Sequence, residues 1–113
     1  MLVVADGSEG ADRALDAGAR LAEASGVPLT VLAVADRLDT IRELERAAAH
    51  LLADRAIQVR WRSLAPAQLD HLLRAIQLEE AALVVLSISS PRFPEATVSK
   101  LLDHITNPVL LIR

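Results

Sequence analysis

Apolar residues along the chain fall into five short runs that have the character of β-strands. Four of the runs are almost continuously apolar, which is typical of strands buried on both faces of a parallel sheet. The third run alternates apolar and polar side chains, so we expect one of its faces, or a sheet edge, to meet water. In chain order the predicted strands are residues 2–5, 29–35, 57–61, 83–88 and 109–112.

The segments between these runs carry apolar side chains at the spacing of one helix face. The first predicted helix, residues 8–25, has small side chains on that face, and Gly18 is expected to mark its closest approach to the sheet. Gly26 is expected to end this helix. Pro66 is expected in the first turn of the third helix. The remaining apolar stripes cover residues 38–52, 69–76 and 98–105.

Strands that alternate with helices of this length predict right-handed βαβ units around a parallel sheet. The sequence therefore predicts a doubly wound α/β fold of the Rossmann-like kind, with residues 1–113 as one domain. Such sheets bind ligands beyond the carboxyl ends of their strands, where the strand order reverses. The loops that follow the strands are therefore the places where a site is expected.

Composition narrows the classes of function. The chain has no cysteine, which excludes a zinc ribbon, a disulfide scaffold and a cysteine nucleophile. Its net charge is −3 and only 2% of its residues are aromatic, and both values argue against a nucleic-acid partner. We find no signal-peptide pattern and no apolar run near the roughly 18 residues that span a bilayer. A cytoplasmic protein without a membrane partner is therefore expected.

The turn Asp6-Gly7-Ser8 follows the first strand and opens the first helix. Asp6 or Ser8 can cap the helix, and Gly7 permits a tight turn. On shape alone this is a capped helix without a ligand, although anions also bind at helix N-termini. The turn lacks the first glycine of a dinucleotide fingerprint, and no Gly-Lys-Ser/Thr of a P-loop follows it.

The other polar residues predict neither a metal site nor an enzyme. The three histidines lie in helical segments, and none has a second ligand at metal-binding spacing. The serines at positions 87, 89 and 90 lack the Gly-x-Ser-x-Gly elbow of a hydrolase. A response-regulator receiver is excluded as well, because no Asp directly follows the third strand and the only lysine, Lys100, precedes the fifth.

The first third of the chain carries Ala5-Asp6-Gly7-Ser8, then Ala14-Leu15, and then residues 29–34, LTVLAV. In this order the motifs resemble the opening of the universal stress protein family. That family begins with an apolar strand, then Val-Asp-Gly-Ser, a helix with Ala-Leu, and a strand of the form Leu-Thr-Val-Leu-His-Val. Residues 82–86, ALVVL, and 101–112, LLDHITNPVLLI, are similar to the family's fourth strand and to its closing helix, proline turn and last strand. Residues 36–77 are supported by pattern only.

The resemblance implies a five-stranded sheet of order 3-2-1-4-5, like that of the adenine nucleotide alpha hydrolases. It also implies a homodimer built through the last strand. Some family members bind ATP or AMP through the Asp after strand one, a valine near the end of strand two and a glycine loop after strand four, while others have lost the loop. By resemblance, the ligand-binding residues would be Ala5, Asp6, Gly7, Val34, Ser87 and Ser90, and the dimer interface would be Val109, Leu110, Leu111 and Ile112.

This chain departs from the family at the glycine loop, which reads Gly-x2-Gly-x9-Gly-Ser/Thr. All four glycines lie at or before Gly26, so none follows strand four. Ser87 and Ser90 take the first two glycine positions, and Glu95 takes the third, after a shortened stretch with two prolines. Glycines let backbone N–H groups approach phosphates, and a carboxylate repels them. Tight ATP binding through this loop is therefore not expected.

Two functions remain. The first is a dimeric universal stress protein-like module that acts in stress response through contacts with an unknown protein partner, with no enzymatic activity and no cofactor. The alternative is a protein that binds ATP, AMP or another small ligand in the crevice near Asp6 and Ser87.

Overall fold

Five strands and four helices alternate along the chain. A computed structural model of the protein describes residues 1–65, 68–87 and 95–112. The strands are β1 (Leu2–Ala5), β2 (Leu29–Val34), β3 (Val59–Leu64), β4 (Val84–Ser87) and β5 (Val109–Ile112). The helices are α1 (Glu9–Ser25), α2 (Leu38–Leu52), α3 (Leu69–Glu79) and α4 (Glu95–His104).

The five strands form one parallel sheet in the order β3-β2-β1-β4-β5. Helices cover both faces of this sheet. Val3 packs with side chains of α1 and α2, while its neighbour Val4 packs with side chains of α3 and α4, as the alternation of a strand requires. The predicted doubly wound α/β fold and the strand order are confirmed, and the order reverses between β1 and β4.

Burial differs between the central and the outer strands. Every residue of β1, β2 and β4 is buried, as their continuous apolar runs predict. The side chains of β3 are half-buried or exposed, which confirms that this strand meets water. The prediction that β5 is buried on both faces is wrong, because β5 lies at the edge of the sheet and Leu111 is 40% exposed.

Some predicted boundaries are also wrong. β3 was expected at residues 57–61 but lies at Val59–Leu64, because its pairing with β2 begins at Val59 opposite Leu29. β2 ends one residue early, at Val34. α3 begins only at Leu69, after Gln68 as its N-cap residue. Pro66, which was expected in the first turn of this helix, lies outside the described residues.

Helix α1 lies close to the sheet at Gly18, as predicted. A methyl group added there would lie 3.6 Å from Leu29 and 3.7 Å from Val3 and Val85, which are ordinary contact distances. At the end of α1, Gly26 has φ +68° and its N–H donates to the carbonyl of Ala22, so it ends the helix as predicted.

We expect Gly18→Ala to raise the free energy of unfolding by about 0.5–1 kcal/mol, because alanine restricts the unfolded chain and its methyl group fits against the sheet. Urea unfolding followed by circular dichroism measures the change. Gly26→Ala is the matched control, and it should lower stability because its backbone is left-handed. Equal destabilisation by both substitutions would contradict the packing at Gly18.

Candidate functional site

The turn between β1 and α1 is held by a short hydrogen-bond chain. The backbone N–H and the hydroxyl of Ser8 both donate to Oδ1 of Asp6, at 3.0 and 2.7 Å. Ser8 Oγ in turn accepts from the backbone N–H of Ala11 at 3.1 Å. Of the two residues that the sequence offered as caps, Ser8 is therefore the cap, and Asp6 orients it.

The backbone of this turn favours glycine at position 7. The φ of Gly7 is +86°, a left-handed conformation that residues with a Cβ adopt only under strain. A Cβ at this position would lie 2.7 Å from Cδ2 of Leu44, so the end of that flexible side chain would have to shift. The turn therefore lies in contact with α2, and its left-handed backbone is the main reason that glycine suits this position.

The alternation of β1 sends the predicted ligand residues to opposite faces of the sheet. Asp6 and Ser87 line one small cavity at the reversal point between β1 and β4. Ala5 and Gly7 instead line a groove between α1 and α2 on the other face. The structure thus brings Asp6 and Ser87 together and separates both from Ala5 and Gly7. Ser90 and the rest of residues 88–94 lie outside the described residues.

The cavity beside Asp6 and Ser87 is small. Its volume is about 10 Å³, which is room for about one water molecule. Most of its lining is apolar, and the α4 side chains of Val98 and Leu101, both buried, occupy one side of it. As the described residues enclose it, the cavity has room for one water molecule and is too small for a nucleobase.

Val34, the remaining predicted ligand residue, is part of the hydrophobic core. It is 0% exposed and belongs to the same core cluster as Leu72 and Ile76 of α3. A ligand would reach Val34 only if the side chains around it moved. Its apolar character therefore has a sufficient explanation in packing.

Sequence reasoning did not find the groove between α1 and α2. Its inner part has a volume of about 230 Å³ and an apolar floor that includes Leu15 and Leu44. An outer part of about 530 Å³ is open to solvent and includes Arg46 and His50. Carboxylates of Asp12 and Glu43 line both parts. The sequence signal there is a run of small residues on α2, and small residues also let helices pack closely without leaving a groove.

The protonation of Asp12, which lines this groove, is perturbed by its surroundings. Partial burial raises the pKa of its carboxyl above the ordinary value of 3.8, and the nearby charges of Asp6 and Glu9 raise the pKa further. Among the described residues no cluster of histidine and acidic side chains has the arrangement of a metal site. The groove is thus a polar surface feature with an apolar floor.

The fold is similar to that of solved universal stress proteins. A member of that family from Burkholderia pseudomallei is 27% identical, with a TM-score of 0.76 over 98% of this chain and 92% of that one. A universal stress protein in complex with cAMP is 21% identical, with a TM-score of 0.81 over 99% and 94% of the two chains. One from Archaeoglobus fulgidus in complex with dAMP is 20% identical, with a TM-score of 0.77 over 99% and 96%.

No protein-family model matches the sequence, and neither does any curated protein. The structural likeness nevertheless covers nearly the whole chain, and it confirms the predicted resemblance to the universal stress protein family. The chain is a universal stress protein-like α/β domain. None of the helices in the described parts of the chain combines the length and the apolar character needed to cross a membrane.

We expect Asp12→Asn to stabilise the protein slightly at pH 7. A carboxyl whose folded pKa is raised favours folding below its unfolded pKa, and this contribution is lost as pH rises through the folded pKa. Because the side chain is exposed, the gain is small, on the order of a few tenths of a kcal/mol. Urea unfolding at pH 7 and near pH 3 measures it, and a gain that grows on acidification would contradict this account.

Proposed function

We propose that this protein is a dimeric universal stress protein-like module that acts through contacts with another protein in the cytoplasm during stress, without enzymatic activity. The observation that carries this proposal is the character of β5, which is short, apolar and at the edge of the sheet. The fold supplies a scaffold that places this edge at the surface. The chemistry needed for catalysis has no counterpart among the residues predicted to form the site.

Strand β5 pairs with β4 from Val109 opposite Val84 to Ile112 opposite Ser87. No strand in the described part of the chain pairs with its other side. Leu110 and Ile112 pack against the core cluster beneath α1, whereas Leu111 is 40% exposed. An open apolar edge promotes aggregation unless something covers it, and a two-fold contact with a second copy covers it on both chains.

The small cavity at the strand reversal supports the second part of the proposal, that ATP is not held through the family's glycine loop. As the described residues enclose it, the space beside Asp6 and Ser87 is about 10 Å³, which leaves no room for a base or a ribose. The chain also has no glycine after Gly26 to bring backbone N–H groups near phosphates. Both observations favour contact with a protein over contact with a nucleotide.

Leu111→Arg should convert a homodimer into a monomer, because it places a charge in the proposed contact between the two β5 strands. Sedimentation equilibrium at micromolar concentration measures the mass. Leu38→Arg is the matched control, since Leu38 is a 68% exposed leucine at the start of α2, a helix that packs against β2 and β3. Wild-type protein that sediments only as a monomer would contradict the dimer.

The alternative function is binding of an adenine nucleotide or another small ligand near Asp6 and Ser87. It is favoured by the likeness to universal stress proteins solved with cAMP and with dAMP. It is also favoured by the meeting of Asp6 and Ser87 at one cavity.

Calorimetric titration with ATP, AMP and cAMP separates the two functions. We expect no saturable heat with any of them at millimolar concentration, because the cavity beside Asp6 and Ser87 has room for only about one water molecule. Saturable heat that Ser87→Val abolishes, with the fold retained by circular dichroism, would establish the alternative. The same titration of Leu38→Arg controls for effects of surface substitutions.

A further inference from the structure

The opposite edge of the sheet, β3, carries open backbone groups. The carbonyl of Gln58, the residue before β3, accepts a hydrogen bond from Leu29 N of β2 at 2.8 Å. The carbonyl of Leu64 accepts one from the N–H of Ala35, the residue after β2, at 3.1 Å. Backbone groups of successive residues in a strand point to alternate sides. The N–H and C=O groups of Val59, Trp61 and Ser63 therefore point away from β2, toward the open side of the sheet.

A side chain bonds to one of these outward groups. Nη1 of Arg62 donates to the carbonyl of Trp61 at 3.0 Å, and Nε of the same residue donates to Oε1 of Glu79 on α3 at 2.9 Å. The Trp61 carbonyl thus has a hydrogen-bond partner, but that partner is an exposed side chain that can be exchanged. Within the described part of the chain, an arginine and no further strand covers this edge.

The positive charge of the β3 edge favours some binding partners over others. Arg60 and Arg62 are exposed and alternate with Val59 and Trp61, so both arginines lie on the α3 side of the strand. Arg60 forms no ion pair with any described residue, although the chain as a whole has a net charge of −3. A second copy paired here would bring arginines together, which is unfavourable, whereas carboxylates at alternate positions of an added strand would complement them.

We propose that the β3 edge is the docking site for an extended acidic segment of a partner protein, which adds to the sheet as a sixth strand. The segment would alternate acidic side chains, facing Arg60 and Arg62, with apolar side chains on the Trp61 side. Its backbone N–H would replace Arg62 at the carbonyl of Trp61. This inference rests on the proposed function, because it supplies the surface and the chemistry for the protein partner.

Trp61 is the only tryptophan and lies within β3, so its fluorescence reports on this edge directly. The probe is an acetylated and amidated hexapeptide in which valine alternates with glutamate. The matched probe has lysine in place of glutamate. We expect a saturable change in Trp61 emission with the glutamate peptide, at least about tenfold weaker binding of the lysine peptide, and weaker binding of the glutamate peptide at high salt.

Arg60→Glu should weaken binding of the glutamate peptide about tenfold or more and leave the Arg62–Glu79 ion pair in place. Arg42→Glu is the control, because Arg42 is an exposed arginine on α2 without an ion pair to any described residue. Ser63→Pro removes one outward N–H without touching the bonds to β2, so it should also weaken binding if the peptide adds as a strand. Circular dichroism checks that each variant keeps the fold.

A glutamate peptide that gives no saturable change up to about 5 mM, equal binding of the two peptides, or unchanged binding to Arg60→Glu would overturn the docking site. Self-association of Leu111→Arg that depends on Arg60 would also overturn it, since a second copy would then occupy β3. If the wild-type protein is a dimer but does not bind the glutamate peptide, only the docking site on β3 is overturned. If it is a monomer and binds the peptide, only the homodimer is overturned.

Discussion

Burial of the three central strands on both faces is the constraint on which the rest of the structure depends. Each fully buried valine or leucine contributes about 1.5–3 kcal/mol, and most residues of β1, β2 and β4 are buried valines or leucines. The ion pairs at the surface, such as that between Arg20 and Asp16, contribute at most about 1 kcal/mol each. Helices must therefore cover both faces of the sheet, and the right-handed connections place α1 and α2 on one face and α3 and α4 on the other.

This constraint also explains why little space is left in the crevice at the strand reversal. A crevice forms there because the connections from β1 and β4 leave in opposite directions. In this chain the side chains of Val98 and Leu101 reach into it, and Asp6 serves to hold the cap of α1. Asp6 thus stabilises the turn, and the space left beside it has room for about one water molecule.

The two edges of the sheet are where the structure leaves interactions open, and they differ in chemistry. β5 is four residues long and presents an exposed leucine. β3 is six residues long and presents two exposed arginines. An apolar edge is best covered by another apolar edge, whereas a basic edge disfavours its own copy and favours an acidic segment. The β5 edge and the β3 edge therefore differ in the kind of partner that each would bind.

The sequence by itself determined the fold class, the number and type of the elements, and the end of α1 at Gly26, because periodicity and turn chemistry are local properties of the chain. It also located the polar turn at Asp6 and Ser8, although either residue was an acceptable cap. Only the tertiary structure decided that Ser8 is the cap and that β3 extends to Leu64. It also decided that the side chains of Ala5 and Asp6 lie on opposite faces of the sheet. These features depend on which strands pair and on how neighbouring side chains fill space, and those contacts join residues far apart in the sequence.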